Sequence, residues 1–457
     1  MTTPLPKSYK FNEKHSDFEV TLSSRDEEGG HSLTMQPATY VEEDEDEPSI
    51  IIEEPGEKTS AKKAFLLLIK AFVGTGVLFL PKAFYNGGLL FSIIILVLVG
   101  CLTACAMMLL VKVRLQVPGE FGEIGGILYG RAVRILVRTS ITVSQLGFCC
   151  AYFIFVAQNL YDLTHTLSGC KVDIPVKYFI FMQLAVYVPF AMVRKIKAFS
   201  YGSLIANIFI LFGIIYIFYI DIDHFVTAGA GDFELFNSKD FPLFIGTALF
   251  SFEGIGLVLP VVNSMKEPKR FPTVLASVIV TVTVIFVSVG AISYAAFGSS
   301  TDTIILLNMP ANQPTTKVVQ LCYVMAILLT LPLMIFPATK ILEGAVFSSR
   351  SGRKSTMVKW EKNLFRAMLC VCLALIAWGG ASNLDNFVSL IGGFGCIPLL
   401  FIYPSMFHLK TCAKSIWTKT GDILLALFGF GVMIFVTYIS IKSWSTSEVV
   451  NRCGNVV

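Results

Sequence analysis

Charge is what this chain has least of: Asp, Glu, Lys and Arg together are 15% of its 457 residues, against 54% apolar residues. A soluble chain of this size needs about a quarter of its residues charged to wet its surface. A soluble enzyme, a nucleic-acid binder and a secreted disulfide scaffold are therefore excluded, and the chain is expected to face lipid. Histidine is scarce as well. His15, His31, His165, His224 and His408 fall in the tail, in loops or at span ends, so none is expected to carry protons at mid-membrane. The 11 cysteines show no paired metal spacing, and neither metal nor cofactor is expected. Cys170, Cys322 and Cys453 lie toward one side, where sequence alone assigns no disulfide. No Gly-x-x-x-x-Gly-Lys-Ser/Thr loop is present, which leaves no ATP-driven motor here. There is no Asn-x-Ser/Thr sequon, and no basic segment leading into a short apolar run and cleavage site, so no cleaved signal peptide is expected.

The net charge of +4 hides a split. Residues 1–60 hold 15 Asp/Glu and 5 Lys/Arg, while the rest holds 17 and 31. The head includes Glu42-Glu43-Asp44-Glu45-Asp46-Glu47 with Pro37, Pro48 and Pro55 nearby. Like charges repel and bury nothing, so 1–60 reads as a disordered acidic tail, either a solvated spacer or a segment that docks cytosolic partners.

From Ala64 onward apolar runs recur, each near the about 20 residues a helix needs to cross hydrocarbon. The pattern predicts an all-α membrane protein with eleven spans. They are Ala64–Tyr85, Leu89–Val111, Ile135–Tyr161, Val176–Val193, Tyr201–Ile220, Leu243–Val262, Thr273–Ala296, Val318–Ile341, Leu364–Ala381, Phe387–His408 and Ile423–Ile441. The transmembrane domain is placed at 61–441, followed by a short tail at 442–457. Alternate loops collect basic residues: twenty Lys and Arg on one side, among them Arg131, Arg134, Lys195 and Lys354, and seven on the other. Positive residues favour the cytosol, so the N-terminus is expected in the cytosol and the C-terminus on the far side.

Two spans are wrong for plain helices. The first reads Gly74-Thr75-Gly76-Val77-Leu78-Phe79-Leu80-Pro81 and the sixth Gly254-Ile255-Gly256-Leu257-Val258-Leu259-Pro260. Glycine weakens a helix and proline removes a donor. Matched interruptions in two halves point to a transporter built from a 5+5 inverted repeat, with discontinuous helices 1 and 6. Repeat one then runs about 64–220 and repeat two about 243–408, with helix 11 (about 423–441) peripheral. A break at mid-membrane frees backbone groups that lipid cannot satisfy. A half-helix N-terminus suits a carboxylate, and freed carbonyls suit an ammonium, so an amino acid fits. Gly74, Thr75 and Gly76 are expected on the carboxylate side, with Ser251, Gly254 and Gly256 as the facing backbone and Phe252 as an aromatic gate. The bland alternative is that these glycines only permit close helix packing. Glu253 is the one carboxylate expected near the middle of a span; an ionisable group there is expensive, and it is expected to carry the proton or support the broken helix. Lys70 is expected to snorkel to the cytosolic surface.

These residues resemble the amino acid/auxin permease family. Lys70–Phe84 is similar to the family's first span, as are Phe121-Gly122-Glu123-Ile124-Gly125, Gln145-Leu146-Gly147-Phe148 and Phe252–Gly256. The likeness covers roughly 60–440 and is strongest to fungal vacuolar exporters of neutral amino acids and animal proton-coupled amino acid transporters. It implies a LeuT-type fold of eleven helices, binding between spans one and six, proton symport, and efflux of neutral amino acids from the vacuole lumen by alternating access. It departs in two respects: the animal members carry a histidine in span one where Leu67 stands here, and the tail is shorter than those common in the fungal exporters. The rival expectations are a sodium-coupled carrier, with Thr330 a candidate ligand, a non-transporting amino-acid sensor, and a plasma-membrane rather than vacuolar address.

Overall fold

Hydrocarbon offers the backbone no hydrogen bonds, so a lipid-facing chain must satisfy them within helices. The computed structural model describes residues 59–193, 197–347 and 355–444; among these there are sixteen α-helices and no strand. The acidic tail and most of the 442–457 tail lie outside the described residues.

The first span is split into α1 (Ala61–Phe72) and α2 (Gly76–Gly87). Then come α3 (Leu89–Arg114), the short α4 (Phe121–Tyr129) and the long α5 (Arg131–Leu167). The fourth expected span is α6 (Val176–Met182) with α7 (Leu184–Met192), and the fifth is α8 (Lys197–Ala228). The sixth divides into α9 (Phe241–Ser251) and α10 (Ile255–Ser264). There follow α11 (Phe271–Phe297), α12 (Pro314–Phe347), α13 (Thr356–Gly380), α14 (Leu384–Leu390), α15 (Tyr403–Thr411) and α16 (Ile416–Lys442). Between α14 and α15 the helix widens into π turns over Ile391–Cys396 and Pro398–Ile402. Pro398 supplies no N–H to the turn before it, which loosens the ladder there.

Counted by length and apolarity alone, eight stretches of the described residues can cross a membrane, or nine with α1 and α2 taken as one bent span. The expected eleven additionally needs the short stretch Val176–Met192 and a second pass from Thr356–Thr411, which is 56 residues long. At about 1.5 Å per residue that run far exceeds the about 30 Å of hydrocarbon, and it is interrupted at Ala381–Asn383.

Burial separates centre from periphery. Of the apolar window of α5, 72% is inside the protein, against 17% for α16, so α16 is the peripheral helix. Helix α12 packs on α5 and α8, and α13 on α5 and α7; α11 packs on α1, α2 and α3, and α2 on α9. Helix α8 touches both groups, lying on α12 and on α11. The first group is clasped at one end by a nearly buried ion pair. Arg366 Nε donates to Glu343 Oε1 at 2.5 Å, and Arg366 Nη1 to the Ala191 carbonyl at 3.0 Å, tying α13 to α12 and α7. Removing one partner strands a charge in a site of low polarity. Glu343→Ala is therefore expected to cost about 3–5 kcal/mol, read as lowered thermal stability of the detergent-solubilised protein.

Candidate functional site

Both interruptions fall where the motifs put them. Helix α1 stops at Phe72 and α2 restarts at Gly76, the two halves being bent by 54°. Helix α9 stops at Ser251 and α10 restarts at Ile255. The restarts are built alike. Each opens on a tight bond three residues long, Leu78 N–H to the Thr75 carbonyl at 3.0 Å and Leu257 N–H to the Gly254 carbonyl at 3.1 Å. The caps are Thr75 and Gly254, and a proline stands six residues beyond each, at Pro81 and Pro260. Having no N–H, Pro260 leaves the Gly256 carbonyl without its helical donor, as Pro81 does for Val77.

The expected site residues are not all used alike. Gly74 and Gly256 border open space. Gly76 lies against Ser251: a Cβ added at Gly76 would sit 3.0 Å from the Ser251 hydroxyl and 3.1 Å from its Cα, and Ser251 Oγ points at the Gly76 carbonyl at 3.4 Å. The two broken helices thus touch at their interruptions. Thr75 is buried, its side chain in hydrogen-bond contact with Tyr152 of α5. Gly254 lies under the Phe72 ring, which a Cβ would meet at 2.8 Å, so this glycine does serve close packing. Phe252 is fully buried, its ring 5.3 Å from that of Phe286 on α11 and beside Gly100 of α3. Its side chain packs the helix group around the break.

Aromatic layers flank the interruptions. Phe79 of α2 meets Phe250 of α9 and Phe155 of α5, both at 6.1 Å, and Phe148 of α5 lies against Phe250 at 4.4 Å with its ring tilted by 49°. On the other side Phe72 covers Gly254, and at the start of α1 the chain pairs with the end of α10. Thr59 N–H donates to the Ser264 carbonyl at 2.7 Å, and Lys266 N–H to the Thr59 carbonyl at 2.9 Å. Sequence reading passed over Phe72, whose only signal was its position two residues before the first glycine motif.

Glu253 lies in the second interruption, half-buried, within electrostatic reach of Tyr152 and of Cys396 in the π segment. Asp162, Asp221 and Asp422 are also buried in helices, but each lies toward a helix end with a partner: Gln320 at 2.8 Å, Ser293 at 2.5 Å and His408 at 2.7 Å respectively. The Glu253 carboxylate has no hydrogen bond or ion pair among the described residues. The Lys70 ammonium, half-buried, donates to the Ser203 hydroxyl near the start of α8. Thr330 gives its hydroxyl hydrogen to the Ala326 carbonyl of its own helix at 2.5 Å.

Comparison with known proteins bears on this arrangement. A family model described as transmembrane amino acid transporter protein matches residues 57–442. Vacuolar amino acid transporter 3 of Schizosaccharomyces pombe is 45% identical over 389 residues, which is 85% of this chain and 59% of that protein. The Saccharomyces cerevisiae protein of the same name is 44% identical, over 85% of this chain and 57% of its own length. The chain thus spans under three fifths of these relatives. Amino acid transporter AVT3C of Arabidopsis thaliana is 30% identical over 84% of this chain and 91% of that protein. Among solved structures, inward-facing Mhp1 superposes with a TM-score of 0.62 at 13% identity, covering 89% of this chain and 96% of Mhp1. MhsT in complex with L-phenylalanine gives 0.53 at 12% identity, covering 84% and 100%. The fold is that of the LeuT-type transporters, as the paired interruptions predict.

Proposed function

Because the chain belongs to the transmembrane amino acid transporter protein family, we propose that it is a proton-coupled carrier of neutral amino acids, releasing them from the vacuole lumen to the cytosol by alternating access. One observation carries the reading: the two interrupted helices meet at Gly76 and Ser251, with the unpaired Glu253 carboxylate in the second gap. The free N–H groups at the start of α2 and α10 suit the substrate carboxylate. The Gly256 carbonyl, left without a donor, suits the ammonium. A site that satisfies both charges with backbone leaves the side chain to be accepted by apolar surroundings, which favours neutral substrates. Gly74, Thr75, Gly76, Ser251, Gly254 and Gly256 form the pocket wall. Glu253 loads a proton on the acidic side and gives it up on the neutral side.

The vacuolar relatives in two yeasts support the address. The orientation, N-terminus cytosolic, rests on the basic loops. It is supported by Cys170, which is disulfide-bonded and so belongs on an oxidising, non-cytosolic face. Alternating access would use the halves on either side of the breaks, α1 with α10 opening to the cytosol and α2 with α9 to the lumen. The deciding measurement is uptake of a radiolabelled amino-acid panel by the reconstituted protein, with and without an imposed pH gradient. Accumulation of neutral amino acids driven by the gradient supports the reading. Uptake that follows a sodium jump at equal pH replaces the proton with sodium, and no uptake of any amino acid rejects transport.

A further inference from the structure

Asp221 reads in the sequence as part of an acidic connecting stretch with Asp223, Asp232, Glu234 and Asp240. The structure treats it otherwise. Helix α8 continues to Ala228 and carries Asp221 on its inner face, 0% exposed, while Ile222 and Asp223 beside it are exposed. Its Oδ2 accepts from the Ser293 hydroxyl of α11 at 2.5 Å, and its Oδ1 has no hydrogen-bond partner among the described residues. One turn on, along the same face, His224 packs its ring 4.7 Å from that of Phe297, one turn beyond Ser293. The His224 Nδ1 is likewise buried without a partner, although the residue itself is half-exposed. Two titratable side chains on α8 therefore meet α11 in register, the inner one sealed and the outer one in touch with solvent.

Among the described residues no countercharge pairs with Asp221. Helix α11 has no charged residue and offers only Tyr294, whose hydroxyl oxygen accepts from the Glu234 N–H at 3.0 Å. Helix α12 offers Lys317 at this end and Tyr323, whose hydroxyl donates to the Ile210 carbonyl. The segment after α8 offers Asp232 and Glu234, and α8 itself Asp223 and His224. None of these forms an ion pair or hydrogen bond with Asp221 among the described residues. A bare carboxylate sealed from water is costly, and a metal ion would need several oxygens around it, where the described residues bring one hydroxyl. A proton needs neither. It also matters mechanically, because α8 lies on α12 and on α11, the two helix groups that would have to move against one another.

We propose that Asp221 is a second proton-binding site, separate from Glu253, loaded from the lumenal face through His224, and that its occupancy sets how α8 docks on α11. The face it opens to rests on the orientation given above; the site itself does not. The test uses the full chain in lipid nanodiscs, with wild type, Asp221→Asn, Glu253→Gln and Ser293→Ala compared by infrared difference spectroscopy between neutral and acid buffer. A protonated-carboxyl band that appears on acidification, survives Glu253→Gln and is missing from a folded Asp221→Asn is the expected result. Ser293→Ala, which removes the observed partner, should shift the midpoint of that band. In vesicles, gradient-free exchange by Asp221→Asn should continue and lose its response to lumenal pH. A band unchanged in Asp221→Asn, or a wild-type lumenal pH profile in that variant, overturns the proposal. The band without any transport in wild type would keep the site and reject the carrier reading instead.

Discussion

Gly76→Leu is expected to abolish amino-acid uptake in a protein that still folds. The reason is contact between the two interruptions. A Cβ at position 76 would lie 3.0 Å from Ser251 Oγ and 3.1 Å from Ser251 Cα, closer than side chains ordinarily approach. Three further carbons would either push α2 off α9 or enter the gap where the half-helix N–H groups are offered. Overpacking of this kind costs about 1–3 kcal/mol, which a membrane domain of this size can absorb, whereas a filled site cannot bind. Gly76→Ala should be intermediate. Pairing it with Ser251→Gly removes the hydroxyl and Cβ it would meet, and should recover part of the lost uptake. The readouts are substrate binding and counterflow, with thermal stability as the folding control. Wild-type uptake by a stable Gly76→Leu protein would show that the pocket lies elsewhere.

The second large effect is expected from Glu253→Gln. Glutamine keeps the shape and hydrogen-bonding reach of a protonated glutamate but has no proton to release. On the proposed mechanism the variant still binds substrate and still exchanges it without a gradient, yet cannot be driven by one. A gradient of one pH unit is worth about 1.4 kcal/mol per proton, a tenfold accumulation at equilibrium, and that factor should vanish. The sign follows from the compartments: protons bind at the acidic lumen and leave at the cytosol, so a gradient acid on the substrate side drives net accumulation by the wild type and none by the variant. Net accumulation by the variant under the same gradient would take the coupling role away from Glu253. Loss of exchange as well would make it a structural support for the broken helix.

The two experiments probe different parts of the same gap. Position 76 tests whether backbone on both sides of the contact forms the pocket, and position 253 tests whether the charge in the second interruption does work. Neither depends on the pair of Asp221 and His224, which α8 holds against a different helix.

Much of this was open to reading from the chain itself. Low charge and recurring apolar runs required a helical membrane body, since lipid leaves the backbone no other way to satisfy its hydrogen bonds. Glycine and proline at 74–81 and 254–260 marked both interruptions, because backbone freedom and a missing donor are properties of single residues that no neighbour can cancel. Side-chain partners are another matter, for they depend on which faces three-dimensional packing brings together. Phe252 turns toward Phe286, Lys70 reaches Ser203, Gly254 lies under Phe72, and Asp221 is drawn inside by a helix that outlasts its apolar run. Where the rods break was thus written along the chain. What stands opposite each break, and which carboxylate is left without a countercharge, came only from the way distant helices pack.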